Sequence, residues 1–300
     1  MRALIDSLRS RKEMVAYFDK HEYPATSWIP LNLAESLKDE LEREGFKPLG
    51  ARELRDWMIE VIEDQRAQNT LVVFLQDVAP DTILDRFTPD ALVRQYLDHG
   101  GCILWLGDIP FWYRGKEGEE KPEPIYGNLV PINLLGVIPV ITYTPTDVVE
   151  ITKEGRKLGL TIKWTSHRPV IYMKDKSHDF IPLAKSKPLI AHCVPLTIEG
   201  RPVKEVIREP SLLGRILRYF RGRFQLGVAE VEVRSEAERG KKRPTVFITG
   251  EKLPCAWIKK FGDGMFIRLW DMPIRSELVN YYTRIIATEI LRITRRKSLK

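Results

Sequence analysis

The sequence predicts an α/β protein built on a doubly wound, mostly parallel β-sheet with a β-rich insertion. Short apolar runs alternate with segments of helical period from residue 14 to residue 108, and this alternation favours parallel strands joined by right-handed helical crossovers. Two of the apolar runs, 70–77 and 102–108, are almost wholly hydrophobic, as expected of strands that are buried on both faces.

The elements of the sheet are predicted from hydrophobic spacing and from glycines that end helices. Leu33, Leu37 and Leu41 recur at helical spacing before Gly45, which predicts a helix over 31–44 that ends at a glycine cap. By the same reasoning the strands are 14–19, 46–51, 70–77, 102–108 and 265–271, and the other helices are 52–65, 91–99 and 276–293.

The remaining segments connect or extend this sheet. Residues 115–128 are charged and contain prolines, which indicates a mobile surface loop. Further predicted features are a helical turn at 134–135, β-rich segments over 137–195, a helix over 211–220 and a hairpin of strands 228–233 and 244–249. We therefore predict an α/β domain (1–150 and 244–300) that carries a β-rich insertion with a basic helix (151–243).

Length and composition restrict the class of protein. Three hundred residues with 43% hydrophobic content support a sizeable core. No apolar run approaches the roughly 18 residues that span a bilayer, and no signal-peptide pattern opens the chain. The three cysteines are far apart and odd in number, which is typical of a reducing compartment. We expect a cytoplasmic protein without a membrane partner.

The balance of polar residues bears on habitat and partners. Asn and Gln together number ten, and such depletion is typical of a thermophile. Residues 201–300 contain 23 Lys and Arg against 11 Asp and Glu, whereas residues 1–200 contain 25 against 30. The basic C-terminal third indicates either a polyanionic partner or a thermophilic surface rich in arginine and lysine.

Three short motifs resemble class I glutamine-amidotransferase-like domains, in particular the non-amidotransferase branch that includes trehalose-utilisation-type and β-galactosidase-associated domains. They are Gly100-Gly-Cys-Ile-Leu-Trp-Leu-Gly107, Asn133-Leu-Leu-Gly136-Val137 and the late segment Ala256-Trp-Ile-Lys-Lys-Phe261-Gly-Asp-Gly264. The resemblance covers residues 14–150 and 244–293. It implies a flavodoxin-like fold that binds a polar, carbohydrate-like ligand or serves as an interaction subunit for a protein partner.

The turn after the strand 102–108 lacks the nucleophile of an amidotransferase. Such an enzyme needs a cysteine on a tight strand-to-helix turn, where the thiolate attacks the amide carbon with a histidine as base. Here the turn reads Gly107-Asp108-Ile109-Pro110, and Cys102 stands at the opposite end of the strand. We therefore do not expect glutaminase activity.

Four predicted strands end in an acidic residue: Asp19, Asp77, Asp108 and Asp271. Ligands bind at the carboxyl ends of the strands in a doubly wound sheet, so these acids can hold a hydroxyl-rich ligand or a divalent cation, or share acid/base work. The structural alternative is that each acid caps the next helix or turn. Asp77 and Asp108 are the leading catalytic candidates, and no cofactor beyond such a cation is predicted.

Aromatic and basic side chains follow Asp108. Trp112, Tyr113 and Arg114 suit the apolar face and hydroxyl edge of a sugar, or a nucleobase. The alternative is that this segment folds over a core or a partner subunit.

The histidines offer a proton carrier for the same edge of the sheet. His167 with Arg168 can supply a base and an anion clamp, and His21 follows Asp19 closely enough to join them. A lone histidine is more often structural. His192 and Cys193 are neighbours in an apolar strand, where their side chains point to opposite faces, so they are not a catalytic dyad.

Basic residues in the C-terminal third predict a nucleic-acid surface, with salt-sensitive binding to the nucleic-acid backbone. They are Arg215, Arg218, Arg221, Arg223, Lys241, Lys242 and Arg243. Three functions are thus predicted, in this order: a divergent amidotransferase-like protein that binds a small polar ligand or a protein, a hydrolase that uses sheet-edge carboxylates with His167 or His21, and a nucleic-acid-associated protein.

Overall fold

The computed structural model describes residues 1–20, 23–26, 28–125, 130–142, 146–172, 179–187 and 252–295 in full, and the backbone of six short strands between residues 191 and 248. The helices in the described residues are α1 (Arg2–Arg9), α2 (Leu31–Arg43), α3 (Ala51–Glu63), α4 (Leu92–Asp98), α5 (Val130–Leu135), α6 (Lys153–Leu158) and α7 (Val279–Thr294). The strands are β1 (Glu13–Tyr17), β2 (Lys47–Leu49), β3 (Thr70–Phe74), β4 (Ala79–Pro80), β5 (Cys102–Trp105), β6 (Tyr113–Gly115), β7 (Glu123–Pro124), β8 (Val137–Thr142), β9 (Glu150–Ile151), β10 (Val170–Tyr172), β11 (Phe180–Ser186), β12 (Ala191–Cys193), β13 (Thr197–Ile198), β14 (Arg201–Pro202), β15 (Gln225–Leu226), β16 (Ala229–Arg234), β17 (Thr245–Ile248), β18 (Leu253–Phe261) and β19 (Gly264–Arg268).

The centre of the molecule is an eight-stranded sheet with the order β2-β1-β3-β5-β19-β18-β11-β9. The first five strands in this order are parallel neighbours, and β18, β11 and β9 continue the sheet in antiparallel fashion. The structure therefore has the mixed α/β content and the large, mostly parallel central sheet that the alternating pattern predicts.

Helices cover both faces of this sheet, and each face has its own apolar core. On one face α1, α2 and α7 pack on the strands through residues such as Leu37 and Ile290. On the other face α3, α4 and α5 pack through residues such as Leu54 and Leu134. The strands β3 and β5 lie between the two cores, and all of their residues are buried.

A two-stranded ribbon and a short helix are among the features that differ from what the sequence predicts. The segment 115–128 is not a loop throughout, because β6 pairs with β7 and sets Arg114 opposite Glu123, with which it forms an ion pair. The short helix α6 was not predicted. Its N-cap is Thr152, whose hydroxyl accepts from the N–H of Gly155 at 3.0 Å.

A second sheet has the order β10-β8-β12-β17-β16-β15. In it β16 and β17 pair in antiparallel register, which confirms the predicted hairpin. The predicted helix at 211–220 lies outside the described residues, and the division into domains stays a prediction. None of the described helices has the length and apolar character that crossing a bilayer requires.

Candidate ligand-binding site

Asp77 and Asp108 lie side by side just beyond the carboxyl ends of β3 and β5. The two strands are parallel neighbours with Phe74 opposite Trp105, so the chain leaves both strands at the same edge of the sheet. The backbone N–H of Asp108 donates to Oδ2 of Asp77 at 3.0 Å. The predicted juxtaposition of these two acids is confirmed.

Both carboxyl groups are covered by other residues. Asp77 is 0% exposed and Asp108 is 2% exposed. The Thr26 hydroxyl lies 2.7 Å from Oδ1 and 2.8 Å from Oδ2 of Asp77, and it accepts from the N–H of Trp28 at 3.0 Å. Asp77 therefore does not meet solvent directly, contrary to the expectation that a ligand contacts it at this edge, because Thr26 and its other neighbours cover it.

Burial changes the acidity of this pair. It raises the pKa of Asp77 to about 7, and the neighbouring charge of Asp108 acts in the same direction, while the hydrogen bonds from Thr26 and from the Asp108 backbone lower it. Burial also raises the pKa of Asp108, and the charge of Arg168 opposes that rise. A carboxyl group that titrates near neutral pH beside a second carboxylate is suited to acid/base work.

The turn that carries Asp108 has an unusual backbone at two positions. Gly107 has a φ of +91°, and a Cβ there would stand 2.7 Å from the Cβ of Asp77, so only glycine permits the close approach of the two strand ends. Phe111 has a φ of +58° and is fixed by packing 5.3 Å from the ring of Trp105. Left-handed backbone in a bulky residue stores roughly 1–3 kcal/mol and concentrates near functional sites.

Arg168 provides the cation at the rim of the site. Its Nε donates to Oδ1 of Asp108 at 3.2 Å, and its guanidinium carbon lies 4.5 Å from the centre of the Trp28 ring. His167 packs edge-on against the same ring, with centroids 5.8 Å apart. All three rim residues are partly exposed. Burial lowers the pKa of His167, although the charge of Asp271 raises it, which favours a neutral imidazole.

Two buried charged residues hold the backbone of Arg168. The carboxylate of Asp271 accepts from the N–H of Arg168 at 2.8 Å, and Nη1 of Arg268 donates to the carbonyl of Arg168 at 2.5 Å. Asp271 also accepts from Trp164 Nε1 at 2.5 Å and from the Ser166 hydroxyl. Asp271 is 0% exposed, so its position in the structure is beneath the rim residues rather than at the surface where a ligand was predicted to meet it.

The three residues predicted after β5 separate in the structure. Tyr113 is partly buried, and burial together with the charge of Asp108 raises its pKa. Trp112 is buried. Arg114 turns away from the pair, because it donates to Glu123 at 2.7 Å and stacks 4.7 Å over the ring of Phe87.

Asp19 lies at the same edge of the sheet but serves a neighbouring helix. Its Oδ2 accepts from the N–H of Ala51 at 3.0 Å, in the first turn of α3. Its backbone N–H and carbonyl bond the buried side chain of Gln76. The hydrogen bond from Ala51 to Asp19 is therefore the one expected if Asp19 caps the next helix.

The remaining predicted site residues have no described position. His21, the four arginines 215, 218, 221 and 223, and the basic turn 241–243 lie outside the described residues, so the nucleic-acid surface stays a prediction. Within the described part of the chain, no group of three or more His, Cys, Asp or Glu side chains is arranged to hold a metal ion.

Sequence reasoning missed Thr26, Trp28 and Arg268. Thr26 reaches Asp77 from a segment 51 positions earlier in the chain, and Arg268 reaches the carbonyl of Gly107 at 3.3 Å across 161 positions. No local pattern marks either residue. The one available signal was that Arg268 interrupts an otherwise apolar strand, which is unusual for a buried position.

Comparisons with known proteins give the family of the chain. A model of the MJECL34 family matches residues 12–188. A relative from Methanocaldococcus jannaschii, named Uncharacterized protein MJECL34, is 32% identical over 173 residues, which are 56% of this chain and 55% of the relative. The chain thus spans about half the length of this curated relative. Among solved structures, the Cytoplasmic Protein STM3548 from Salmonella typhimurium is similar over 86% of both chains, with 12% identity and a TM-score of 0.38.

Proposed function

The chain belongs to the MJECL34 family, and we propose that it is a divergent amidotransferase-like protein that binds a small polar, carbohydrate-like ligand. The observation that carries this proposal is the cluster of Asp77, Asp108 and Arg168 at the carboxyl edge of the parallel strands. Ligands of open α/β sheets bind at this edge.

The strand order supports a flavodoxin-like fold. The five parallel strands run β2-β1-β3-β5-β19, which corresponds to the order 2-1-3-4-5 of flavodoxin-like sheets. In that order the connections reverse direction between β1 and β3, and ligands occupy the crevice at the reversal. Thr26 follows β1 and bonds Asp77, which follows β3, so the cluster is next to that crevice.

The two cysteines whose side chains the structure describes support the absence of glutaminase chemistry. Burial raises the pKa of Cys102 to about 11 and that of Cys255 to about 12, so both thiols stay protonated and poorly nucleophilic at neutral pH. Both are free and buried, which agrees with the reducing cytoplasm that we propose as the location of the protein.

The rim side chains favour a ligand with both apolar and hydroxyl surfaces. Trp28 and Tyr113 are partly exposed aromatic residues, and Arg168 bonds the Asp108 carboxylate while stacking on the Trp28 ring. Sugars combine apolar C–H faces with hydroxyl edges, and partly exposed aromatic rings bind such faces. A nucleotide also has an aromatic-binding surface, so it belongs in the same test.

The proposal predicts that a small polar ligand stabilises the folded chain. Thermal unfolding is measured with sugars, sugar acids, nucleotides and divalent cations; a ligand at 100 times its Kd adds about 2.7 kcal/mol to the free energy of unfolding. Asp108→Asn, which weakens the contact with Arg168, is expected to remove most of that gain, and Tyr113→Phe to reduce it. The exposed Asp98→Asn is the control and is expected to keep it. Absence of any shift across the panel contradicts the proposal.

A hydrolase is the second candidate, because one observation favours it. Asp77 has a pKa of about 7 beside Asp108, and His167 lies at the rim, so a proton donor and acceptor are both present near neutral pH. If this candidate holds, a stabilising glycoside is consumed on incubation, and Asp77→Asn abolishes turnover while binding persists. A bound ligand recovered unchanged removes this candidate and leaves the binding proposal intact.

A further inference from the structure

The hydrogen-bonding capacity of the cluster is unevenly used. Both oxygens of Asp77 and both oxygens of Asp271 accept hydrogen bonds. On the donor side, Nε of Arg168 bonds Asp108 and Nη1 bonds the carbonyl of His167, but no described residue accepts from Nη2 of Arg168. Nε of the buried Arg268 also has no partner among the described residues.

Arg168 is the cation of the cluster that reaches the surface. Its side chain is 19% exposed, whereas Arg268 is 0% exposed. Its backbone is fixed on both sides by Asp271 and Arg268, and its guanidinium is fixed by the Trp28 ring. Such support from buried neighbours gives a recognition residue one defined position. The N–H donors of Nη2 thus have a defined position and no acceptor among the described residues.

One acceptor is available beside these donors. Oδ1 of Asp108 accepts from the N–H of Ile109 at 2.7 Å and from Arg168, while no described residue donates to Oδ2. A ligand that fits both neighbours needs acceptor oxygens for Arg168 and a hydroxyl for Asp108. The N–H groups of arginine form charge-assisted hydrogen bonds with carboxylate oxygens, and these are stronger than hydrogen bonds to neutral acceptors.

We propose that the ligand is a sugar acid, a uronate or an aldonate, whose carboxylate binds the Nη2 edge of Arg168 and whose neighbouring hydroxyl donates to Oδ2 of Asp108. This inference rests on the proposed function and names the class of its ligand. A neutral sugar satisfies Asp108 but leaves the arginine edge with a weaker, uncharged acceptor.

The charges of the cluster predict that the affinity for a sugar acid depends on pH. When Asp77 is protonated, the positive charges of Arg168 and Arg268 balance the negative charges of Asp108 and Asp271. Among the described residues, the titratable groups that interact with Asp77 are Asp108, on the turn after β5, and Tyr113, on β6. A ligand carboxylate adds negative charge and therefore favours the protonated form of Asp77. Because the pKa of Asp77 is about 7, affinity is expected to rise as the pH falls from 8 to 6, where carboxylic acids of ordinary pKa stay ionised.

The test is calorimetric titration of the full chain with D-glucuronate and D-galacturonate, each against its neutral sugar, D-glucose or D-galactose. The acids are expected to bind at least about tenfold more tightly than the neutral sugars, as for loss of one charge-assisted bond. Their affinity is expected to fall roughly tenfold from pH 6 to pH 8. Arg168→Gln is expected to remove the preference for the acids, and Arg168→Lys, which keeps the charge but changes the geometry of the donors, is expected to reduce it if the first variant does not fold.

Arg94→Gln is the matched control. Arg94 also stacks 4.5 Å over an aromatic ring, that of Phe261, and pairs with Asp98 at 3.0 Å, but it lies on α4. This variant is expected to retain the preference for acids. Equal binding of acids and neutral sugars overturns the inference and leaves the proposed function standing. An unreduced preference for the acids in either Arg168 variant also overturns it. If neither acids nor neutral sugars bind, the inference and the carbohydrate-like ligand of the proposed function both fall.

Discussion

At the scale of single residues, Asp77 links the stability of the fold to pH. Its pKa is raised to about 7 by burial, whereas an unfolded aspartate titrates near 3.9. Between these values the folded chain binds a proton that the unfolded chain has released. The contribution of Asp77 to the free energy of unfolding is therefore largest below about pH 4 and is lost as the pH rises to about 7.

Asp77→Asn tests this linkage. The amide has no charge to bury, so the stability of the variant relative to the parent is expected to increase by up to about 1.4 kcal/mol per pH unit between roughly pH 4 and pH 7, and to level off above that. Urea unfolding across this range measures the difference. Asp98→Asn, which removes an exposed charge on α4, is the control. A pH-independent difference for Asp77→Asn shows that the buried carboxyl does not titrate in this range.

The same residue shows what sequence reasoning can find at this scale. Asp77 and Asp108 were identifiable because each ends an apolar run that had to be a buried strand, and parallel neighbours end at the same edge. Their burial was not identifiable. It depends in part on Thr26, which bonds Asp77 across 51 positions of the chain, and no local sequence pattern marks that contact.

At the scale of elements, the hairpin of β18 and β19 is placed against α4 by glycine. β19 pairs with β5 on one side and with β18 on the other, and its first residue is Gly264. A Cβ at this position would stand 1.9 Å from the carbonyl oxygen of Leu97, near the end of α4. Since backbone atoms on both sides are fixed by sheet and helix, the clash cannot be relieved by rotation of a side chain.

Gly264→Ala is therefore expected to lower the free energy of unfolding by about 3 kcal/mol, as overpacking against backbone does. Gly118→Ala is the comparison: its Cβ meets nothing within 4 Å, although its φ is +75°, so it is expected to cost only about 1 kcal/mol. Chemical denaturation of both variants gives the two values. A Gly264→Ala variant no less stable than Gly118→Ala contradicts the close packing of α4 on β19.

Most elements of the sheet were predictable, and the exceptions have physical causes. The helices α2, α3 and α7 carry apolar residues at helical spacing because each packs one side on the sheet. The pairing of β6 with β7 has no such pattern, since its charged residues are satisfied across the ribbon by the pair of Arg114 and Glu123. The helix α6 is too short for periodicity to emerge, and its start is marked by the single capping residue Thr152.

At the scale of the whole molecule, one sheet separates two apolar cores. Leu37 on α2 belongs to the first core and Leu54 on α3 to the second, and both are fully buried. The strands β3 and β5 contribute residues to both, for example Leu71 and Val72 on opposite faces. Both cores pack on the same strands, so the loss of one core would destabilise the strands on which the other core packs. The two cores are therefore expected to unfold together.

Leu37→Ala and Leu54→Ala test this cooperativity. Each removes a buried leucine side chain, so each is expected to lower the free energy of unfolding by about 3 kcal/mol. Because the two sites lie on opposite faces of the sheet and share no contact, the double variant is expected to lose the sum within about 0.5 kcal/mol. Tryptophan fluorescence and far-UV circular dichroism, followed in the same urea titration, should shift together for each single variant. The contrary result is two separable unfolding transitions, of which one variant shifts only the first and the other shifts only the second. It would mean that the two faces fold independently and that the site between β1, β3 and β5 depends on one core alone.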